Sequence, residues 1–442
     1  MMQPVKNLFT AREATRPVII GLLVLTVIGA GLAVLTKQWC RINGWPDAEQ
    51  HLHMCYSDFT QLFGTRGMAD KLFPYFTGLP AEQALEYPVL LAIMAGLTAM
   101  VIPGIGFSPE RQLAYFDVNS AVSFICWAAV VVAVAYAARH RSRDAIMVAL
   151  APGIILTSQL NWDLLAVMLA MTGLLAFSRK HIVLAGVLLG LGAAAKLYPF
   201  FLFGAILVLC LRTGRMRHFW VSLASGIVAW LAVNVPFMLT AFDEWSRFYT
   251  FSGDRPAGNS SMWLAFVWTG MDGSTMSYLS NGLFGIACLG IAWLGLRATR
   301  RPRMAQLAFL IVAAFLLFGK VYSPQFVMWL IPLYVLARPK WREFLVWQGI
   351  EVFHWVFVWL WSAKWVSGLK YFGDSWAIEI LYGIGIVAHM AMLVYLCVKI
   401  IGDIRNPERD VVRSEGTDDP LAGPLENLQD KFVLGRKAGS EP

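Results

Sequence analysis

The chain has 442 residues, of which 58% are apolar and only 14% are charged, and its formal net charge at pH 7 is +8. Soluble domains carry roughly a quarter of charged residues, so this composition excludes an ordinary soluble enzyme and predicts a polytopic membrane protein. The positive charge does not indicate nucleic-acid binding, because it is spread in short clusters between long apolar blocks.

The first apolar block, residues 17–35, is long enough to cross the hydrocarbon core as one helix. Lys6, Arg12 and Arg16 flank it, and no small-residue cleavage site follows. We therefore predict a first membrane span and not a removed signal peptide. Residues 1–16 are expected to form a cytoplasmic N-terminus.

Later basic clusters separate the remaining apolar blocks, at residues 139–143, 178–181, 212–218, 297–303 and 338–342. Between successive clusters there is room for an even number of crossings, so every cluster can face the cytoplasm. Before the first cluster, however, two apolar segments follow the first span, and only one of them can cross. We expect residues 87–103, which are short and bounded by prolines, to form a re-entrant or interfacial helix.

This topology predicts an all-α membrane body over residues 17–400 with about 12 transmembrane helices, plus the re-entrant or interfacial helix after the first outer loop. That loop, within residues 37–116, carries Asp58. Residues 401–442 gain proline, glycine and charge and lose apolar periodicity. They are expected to form a disordered cytoplasmic tail.

Several polar segments that interrupt the apolar blocks are expected on the same outer face as Asp58, namely residues 159–163, 193–199, 252–261, 319–326 and 362–365. A charge within or beside hydrocarbon costs several kcal/mol unless it is paired or hydrated, so this convergence predicts a site. Two simpler interpretations stay open. Lys196 and Lys320 can snorkel to the interface from helix ends, and Asp163 can cap the start of a helix.

Four stretches carry a resemblance to a known family: YSDF at 56–59, EYPVL at 86–90, the block from NWD to AAAKLYP at 161–199, and KVYSPQFVMWLIP at 320–332. They resemble glycosyltransferase family 87 of the GT-C superfamily, which includes polyprenyl-phosphomannose-dependent α-mannosyltransferases of the actinobacterial envelope. The resemblance, over residues 17 to 400, implies a lipid phosphosugar donor reached from the outer leaflet. It also implies that the acid of the first outer loop, here Asp58, is the catalytic base.

Many GT-C relatives have an acidic pair in this loop, whereas here a single acid follows Ser57. This difference weakens the case for a bound metal, and we expect neither a metal nor another cofactor. His51 and His53 lie near Asp58 but lack the ligand spacing of a known zinc site. Glu351 and His354, one helical turn apart within an apolar block, are expected to satisfy each other or a neighbouring helix, although intramembrane acids are often functional.

The chemistry itself requires few groups. When a hydroxyl displaces a polyprenyl phosphate from an anomeric carbon, the leaving group departs as a stable anion, so one general base suffices and cations stabilise the phosphate. We predict Asp58 as the base and Lys196, Lys320 and Arg255 as donor-phosphate contacts, with inversion at the sugar. The sugar or acceptor contacts are predicted to be Asn161, Asp163, Tyr198, Tyr322 and Gln325.

Alternatives remain for individual residues. Asp58 can be a solvated loop acid paired with Arg41 or Arg66. Cys40 and Cys55 are the two cysteines of the first outer loop, where disulfides form. A bridge between them is predicted, against two independent free thiols.

The sequence therefore predicts a plasma-membrane glycosyltransferase with an extracytoplasmic active site. We expect it to move a sugar, with mannose favoured by the resemblance, from a polyprenyl-phosphate donor to an envelope glycolipid or polysaccharide. Its expected partners are these lipid-linked substrates and membrane lipids, and no nucleic acid. The alternative is a transporter or flippase of lipid-linked sugars, although we find no long internal repeat of the kind that many transporters have.

Overall fold

The computed structural model describes residues 14–80, 83–258, 260–416 and 418–435, and within these ranges the regular elements are all helices. The prediction of an all-α polytopic membrane protein is confirmed. The expected cytoplasmic N-terminus, residues 1–16, lies almost wholly outside the described residues.

Seventeen α-helices follow one another along the described chain, joined in places by short 3-10 turns. The first group is α1 (Arg16–Asn43), α2 (Asp47–Leu52), α3 (Asp58–Thr65), α4 (Val89–Met100), α5 (Pro109–Ala137), α6 (Ile146–Ala149), α7 (Pro152–Thr157), α8 (Asp163–Ser178) and α9 (Ile182–Ala195). The second group is α10 (Tyr198–Thr213), α11 (Met216–Thr240), α12 (Phe242–Asp254), α13 (Gly273–Arg297), α14 (Met304–Phe318), α15 (Val327–Ala337), α16 (Trp341–Val366) and α17 (Ala377–Arg405).

Six of the described helices, α1, α5, α11, α13, α16 and α17, are long and apolar enough to cross a membrane. Shorter apolar helices accompany them, among them α8, α9, α10 and α14. A helix of about 16 residues rises only about 24 Å, which is less than the hydrocarbon thickness of about 30 Å. The predicted total of about 12 crossings therefore depends on these shorter helices. Helix α4 has 12 residues and is too short to cross alone, which agrees with the expected re-entrant or interfacial position.

Helices α9 and α11 approach each other closely through glycine. A Cβ atom added to Gly190 would lie 2.1 Å from the carbonyl oxygen of Gly226, and one added to Gly186 would lie 2.1 Å from the carbonyl oxygen of Ser222. Gly186 and Gly190 are four residues apart and share one helix face. Small residues at this spacing let two helix backbones touch inside a membrane, so this pair fixes the position of α9.

The C-terminal segment differs from the expected disordered tail. Helix α17 continues to Arg405, and residues beyond it pack against the helices: Leu421 is 1% exposed and Leu425 is 0% exposed. The buried guanidinium of Arg303 forms two hydrogen bonds with Asp410, with Nε to Oδ2 at 2.7 Å and Nη2 to Oδ1 at 2.9 Å. The segment is low in apolar residues, but its acids neutralise arginines of the membrane body, which composition alone does not reveal.

Further ion pairs hold the same segment. Arg212 pairs with Asp430 and Arg139 pairs with Glu426, while Asp419 accepts a hydrogen bond from the backbone nitrogen of Met304 at 2.9 Å. The segment thus binds to the basic clusters that separate the apolar blocks.

Candidate active site

One cavity of about 610 Å³ collects the polar segments that the sequence predicts to converge. Its lining comes from the Asp58 region, from Glu86 and Tyr87, from Leu160, from Lys196, from residues 251–258, from residues 323–326 and from the end of α16 at Ser362. All five of the later polar segments contribute to this wall. Among the residues predicted for the site, Asp58, Lys196, Arg255 and Gln325 line the cavity.

The backbone around Asp58 is fixed from two sides. Cys40 at the end of α1 forms a disulfide with Cys55, and their Cα atoms are 5.9 Å apart. On the other side, the amide of Asp58 donates to the carbonyl oxygen of Leu160 at 2.8 Å, and the hydroxyl of Ser57 donates to that of Gln159 at 2.6 Å. Asp58 is therefore held at the start of α3 against the loop before α8.

Tyr87 is the principal partner of the Asp58 carboxylate, because its hydroxyl donates a hydrogen bond to Oδ2. Burial raises the pKa of Asp58, although hydrogen bonds from Tyr87 and Tyr56 and the positive charge of Lys196 act in the opposite direction. A carboxylate with a raised pKa is a stronger base than an exposed one. The cavity thus contains a partly desolvated carboxylate suited to take a proton.

The alternative of a solvated, ion-paired Asp58 is not what the structure contains. Arg41 pairs with Asp117, and Arg66 forms a bidentate pair with Glu86, at 3.0 Å and 3.1 Å. Both arginines are thus engaged elsewhere, and Asp58 faces the cavity.

Lys196 is held by a fully buried acid. Its Nζ lies 3.0 Å from Oδ1 of Asp163, whose side chain is 0% exposed, and Asp163 Oδ2 accepts a hydrogen bond from Trp329 Nε1 at 3.1 Å. The ammonium also lies 4.9 Å from the ring centre of Tyr87. Asp163 begins α8 as predicted, but its carboxylate orients Lys196 behind the cavity wall and does not line the cavity.

Asn161 supports the same group of residues. Its Nδ2 donates to the hydroxyl of Tyr87 at 3.3 Å, and its Oδ1 accepts from the backbone nitrogen of Asp163 at 3.1 Å. A chain of contacts therefore runs from Asn161 through Tyr87 to Asp58. We assign Asn161 to positioning Tyr87, in place of the predicted contact with sugar or acceptor.

Arg255 and Gln325 are placed for ligand contact. Arg255 follows α12, lines the cavity, and stacks over the Phe251 ring with 5.4 Å between guanidinium carbon and ring centre. Burial lowers the pKa of Arg255, while the nearby Tyr87 and Glu86 raise it. Among the described residues Arg255 has no ion-pair partner, so its charge is available to an anion in the cavity.

Lys320 has a different role from the predicted phosphate contact. Its Nζ donates to the carbonyl oxygens of Gly253, Arg255 and Gly273, at 2.6, 2.8 and 3.1 Å. The end of α12 leaves carbonyl groups without helical partners, and the ammonium donates to two of them, those of Gly253 and Arg255. Its third hydrogen bond goes to Gly273 at the start of α13. Lys320 therefore fixes the turn that presents Arg255.

Tyr198 and Tyr322 are also buried away from the cavity lining, and each is 1% exposed. Tyr198 stacks on Trp329, with ring centres 4.5 Å apart, and Tyr322 packs at 4.5 Å against His389. These contacts replace the predicted contacts with sugar or acceptor, because both rings fill the space between helices.

Sequence reasoning missed Tyr56, Glu86, Tyr87 and Trp359 as cavity residues. Glu86 and Tyr87 belong to the EYPVL stretch, so that motif was the available signal. Lys37 was also missed: it is 0% exposed and its Nζ donates to the carbonyl oxygen of Tyr56 at 3.0 Å. A lysine at the end of the first apolar block was a signal for such a contact.

The two histidines of the first outer loop contact different aromatic residues. His53 stacks on Trp39 with ring centres 3.7 Å apart, and His51 packs against both Tyr56 and Trp359, with ring centres 5.1 Å and 5.4 Å away.

Comparison with known proteins gives one family. The model of glycosyltransferase family 87 matches residues 105–324, which include Asn161, Lys196 and Arg255. No curated protein matches the chain. The family implies a membrane enzyme that transfers sugar, and the helical membrane fold agrees with it. Over residues 105–324 the chain is similar to glycosyltransferase family 87.

Proposed function

We propose that the protein transfers mannose from polyprenyl phosphomannose to an envelope glycolipid or polysaccharide, at the extracytoplasmic face of the plasma membrane and with inversion at the anomeric carbon. The observation that carries this proposal is the single cavity that combines the Asp58 carboxylate with the cations Lys196 and Arg255. A base and a phosphate-binding pair are the groups that a transfer from a lipid phosphosugar needs.

In the proposed reaction an acceptor hydroxyl oxygen attacks the anomeric carbon of the donor, and Asp58 takes the hydroxyl proton. The bond between the anomeric carbon and the phosphate oxygen breaks, and its electron pair stays on the phosphate. Lys196 and Arg255 stabilise the charge of this leaving group. Because attack and departure occur on opposite sides of one carbon, a single displacement inverts the sugar. The buried ion pair with Asp163 holds the ammonium of Lys196 in place.

An apolar groove beside the cavity supports a lipid-linked donor. The groove, of about 250 Å³, lies between α9, α10 and α11, and its walls include Leu197, Phe200 and Trp230. Phe248 of α12 lines both the groove and the cavity. Leu197 of the groove follows Lys196 of the cavity in the sequence. A polyprenyl chain bound in the groove would therefore place its phosphate next to Lys196.

The proposal is tested with the purified full chain and a panel of radiolabelled polyprenyl-phosphate sugars that includes mannose and arabinose. We expect transfer from the mannose donor and an α-linked product from a β-linked donor, as determined by NMR. Transfer only from a pentose donor would contradict the choice of sugar. Donor flipping in vesicles without transfer would favour the transporter alternative.

Lys196 gives a second test. Replacing a charge-assisted phosphate contact costs about 1.5–3 kcal/mol, so Lys196→Met should weaken donor use by at least about tenfold. Because Lys196→Met alone leaves Asp163 buried without its cation, it should also destabilise the protein. The double variant Lys196→Met, Asp163→Asn should recover stability but not donor use. Recovery of both would show that Lys196 serves the fold and not the donor.

A further inference from the structure

A second group of ionisable side chains lies between α16 and α17, outside the cavity lining. Glu351, His354 and His389 offer one ligand atom each, and these atoms all lie within 4.8 Å of one another. All three side chains are buried, with relative exposures of 6%, 1% and 0%. The rings of His354 and His389 are stacked, with ring centres 4.2 Å apart and an angle of 3° between the ring planes.

Hydrogen bonds determine which histidine nitrogen is available. His389 Nε2 lies 3.0 Å from the carbonyl oxygen of Ser260, and since a carbonyl can only accept, Nε2 carries the proton. In a neutral ring, Nδ1 of His389 then carries a lone pair and no proton. His354 Nε2 lies 2.8 Å from the hydroxyl of Ser260, and when that hydroxyl accepts, Nδ1 of His354 also carries a lone pair.

The free nitrogen of His389 faces a carboxylate. Nδ1 lies 3.9 Å from Glu351 Oε2, which is too long for a hydrogen bond. Neither His354 Nδ1 nor His389 Nδ1 has a hydrogen-bond partner among the described residues. The lone pairs of His389 Nδ1 and Glu351 Oε2 thus face each other in the protein interior, where polar atoms without a hydrogen-bond partner cost free energy of folding.

The groups around the cluster resemble the outer shell of a metal site. Metal-binding histidines usually donate their other ring nitrogen to a carbonyl or hydroxyl oxygen, as both histidines can to Ser260. The carboxylate is held as well, because Trp347 Nε1 donates to Glu351 Oε1 at 3.0 Å. Two histidines and one carboxylate are a known zinc ligand set, whose ligand atoms lie about 3.4 Å apart when the metal is bound. Small rotations of the side chains would bring these atoms to that spacing.

We propose that Glu351, His354 and His389 bind a divalent transition-metal ion, with Zn²⁺ the ion that the ligand set fits best. The ion joins α16 to α17. Tyr322, whose hydroxyl has no partner among the described residues, packs its ring on His389 beside the site.

The proposed metal site would support the wall of the cavity. Ser260, which contacts both histidines, lies two residues after Gly258 of the cavity wall, and Tyr322 precedes the wall residue Ser323. A bound ion would therefore hold two segments of that wall in position. This role is structural and independent of the proposed sugar transfer.

The test uses the full chain purified without a polyhistidine tag and without chelator. Metal content is measured by mass spectrometry, and thermal unfolding is followed with and without a chelator. We expect about one metal ion per chain and a lower unfolding temperature after chelation. In the chelated protein, added Co²⁺ should give the visible absorption of a low-symmetry site with nitrogen and oxygen ligands.

Glu351→Gln and His389→Gln should lose both the metal and the Co²⁺ absorption, whereas His140→Gln, a change of an exposed histidine, should retain them. The wild-type Co²⁺ spectrum keeps the test valid if a variant fails to fold. Two results would overturn the proposal: wild-type protein without metal, Co²⁺ absorption or response to chelator, or folded Glu351→Gln protein that retains the full metal content.

Discussion

Tyr87 controls the proton affinity of Asp58 in this account. Burial raises the pKa of Asp58 and the hydrogen bond from Tyr87 lowers it. A general base acts only when deprotonated, so turnover should fall as the pH falls through this raised pKa. The acid limb of the wild-type profile should therefore lie above the ordinary aspartate pKa of about 3.9.

Removing that hydrogen bond gives a prediction of known sign. Tyr87→Phe should raise the pKa of Asp58 further, and the acid limb of kcat/KM against pH should move to higher pH. Tyr371→Phe serves as the control, because Tyr371 donates its hydrogen bond to Glu49. An unchanged limb, or one moved to lower pH, would show that Tyr87 does not control the base.

A residue of the site could be predicted from the sequence when the motif that marks it lies next to it in the chain. Asp58 stands out because it is the acid of the YSDF motif at 56–59, in a polar stretch between two apolar blocks. Lys320 has an equally prominent position, but its partners are the carbonyl oxygens of Gly253, Arg255 and Gly273. Those partners lie at the ends of two other helices, and no sequence pattern near Lys320 predicts them.

The glycine contact between α9 and α11 carries a prediction about helix packing. Gly186→Leu would place a side chain where the carbonyl oxygen of Ser222 lies 2.1 Å from the Cβ position. Overpacking usually costs about 1–3 kcal/mol, and a backbone clash belongs at the upper end. The unfolding temperature of the purified protein should fall.

Gly290→Leu is the matched control, because a Cβ at this exposed glycine of α13 meets nothing within 4 Å. Equal unfolding temperatures for the two variants would contradict the close packing of α9 and α11. The spacing of Gly186 and Gly190 is visible in the sequence, but the facing Gly226 is 36 positions further on than Gly190. A pattern can thus indicate a close contact without identifying its partner.

Long apolar helices were the most predictable elements. Residues 17–35 lie within α1, because a continuous apolar run has no other stable arrangement in lipid. The broken segments α6 and α7, and the turn before α15, are less regular because proline and polar residues divide them.

At the scale of the whole molecule, the C-terminal segment joins the membrane body through buried charge. Asp410→Ala would leave the guanidinium of Arg303 buried without its acid, and breaking such a pair costs about 3–5 kcal/mol. We expect a marked loss of thermal stability. The double variant Arg303→Met, Asp410→Ala should recover part of it, because no charge is then left unpaired.

Glu408 of the same segment provides a control for this prediction, since its side chain is exposed and exposed charges contribute little. Full stability of Asp410→Ala would mean that the segment is not docked in solution. Composition predicted disorder here because the segment has few apolar residues, whereas buried leucines such as Leu425 and ion pairs with residues more than a hundred positions away, such as Arg303 with Asp410, hold it in place.

The central claim is that Asp58 is the general base, and the turnover of Asp58→Asn tests it most directly. The amide keeps the shape of the side chain but cannot take the proton, so transfer from polyprenyl phosphomannose should fall at least about a hundredfold, with the unfolding temperature preserved. Asp117→Asn, which removes an acid paired with Arg41 away from the cavity, should retain activity. Near-normal transfer by correctly folded Asp58→Asn protein would contradict the account.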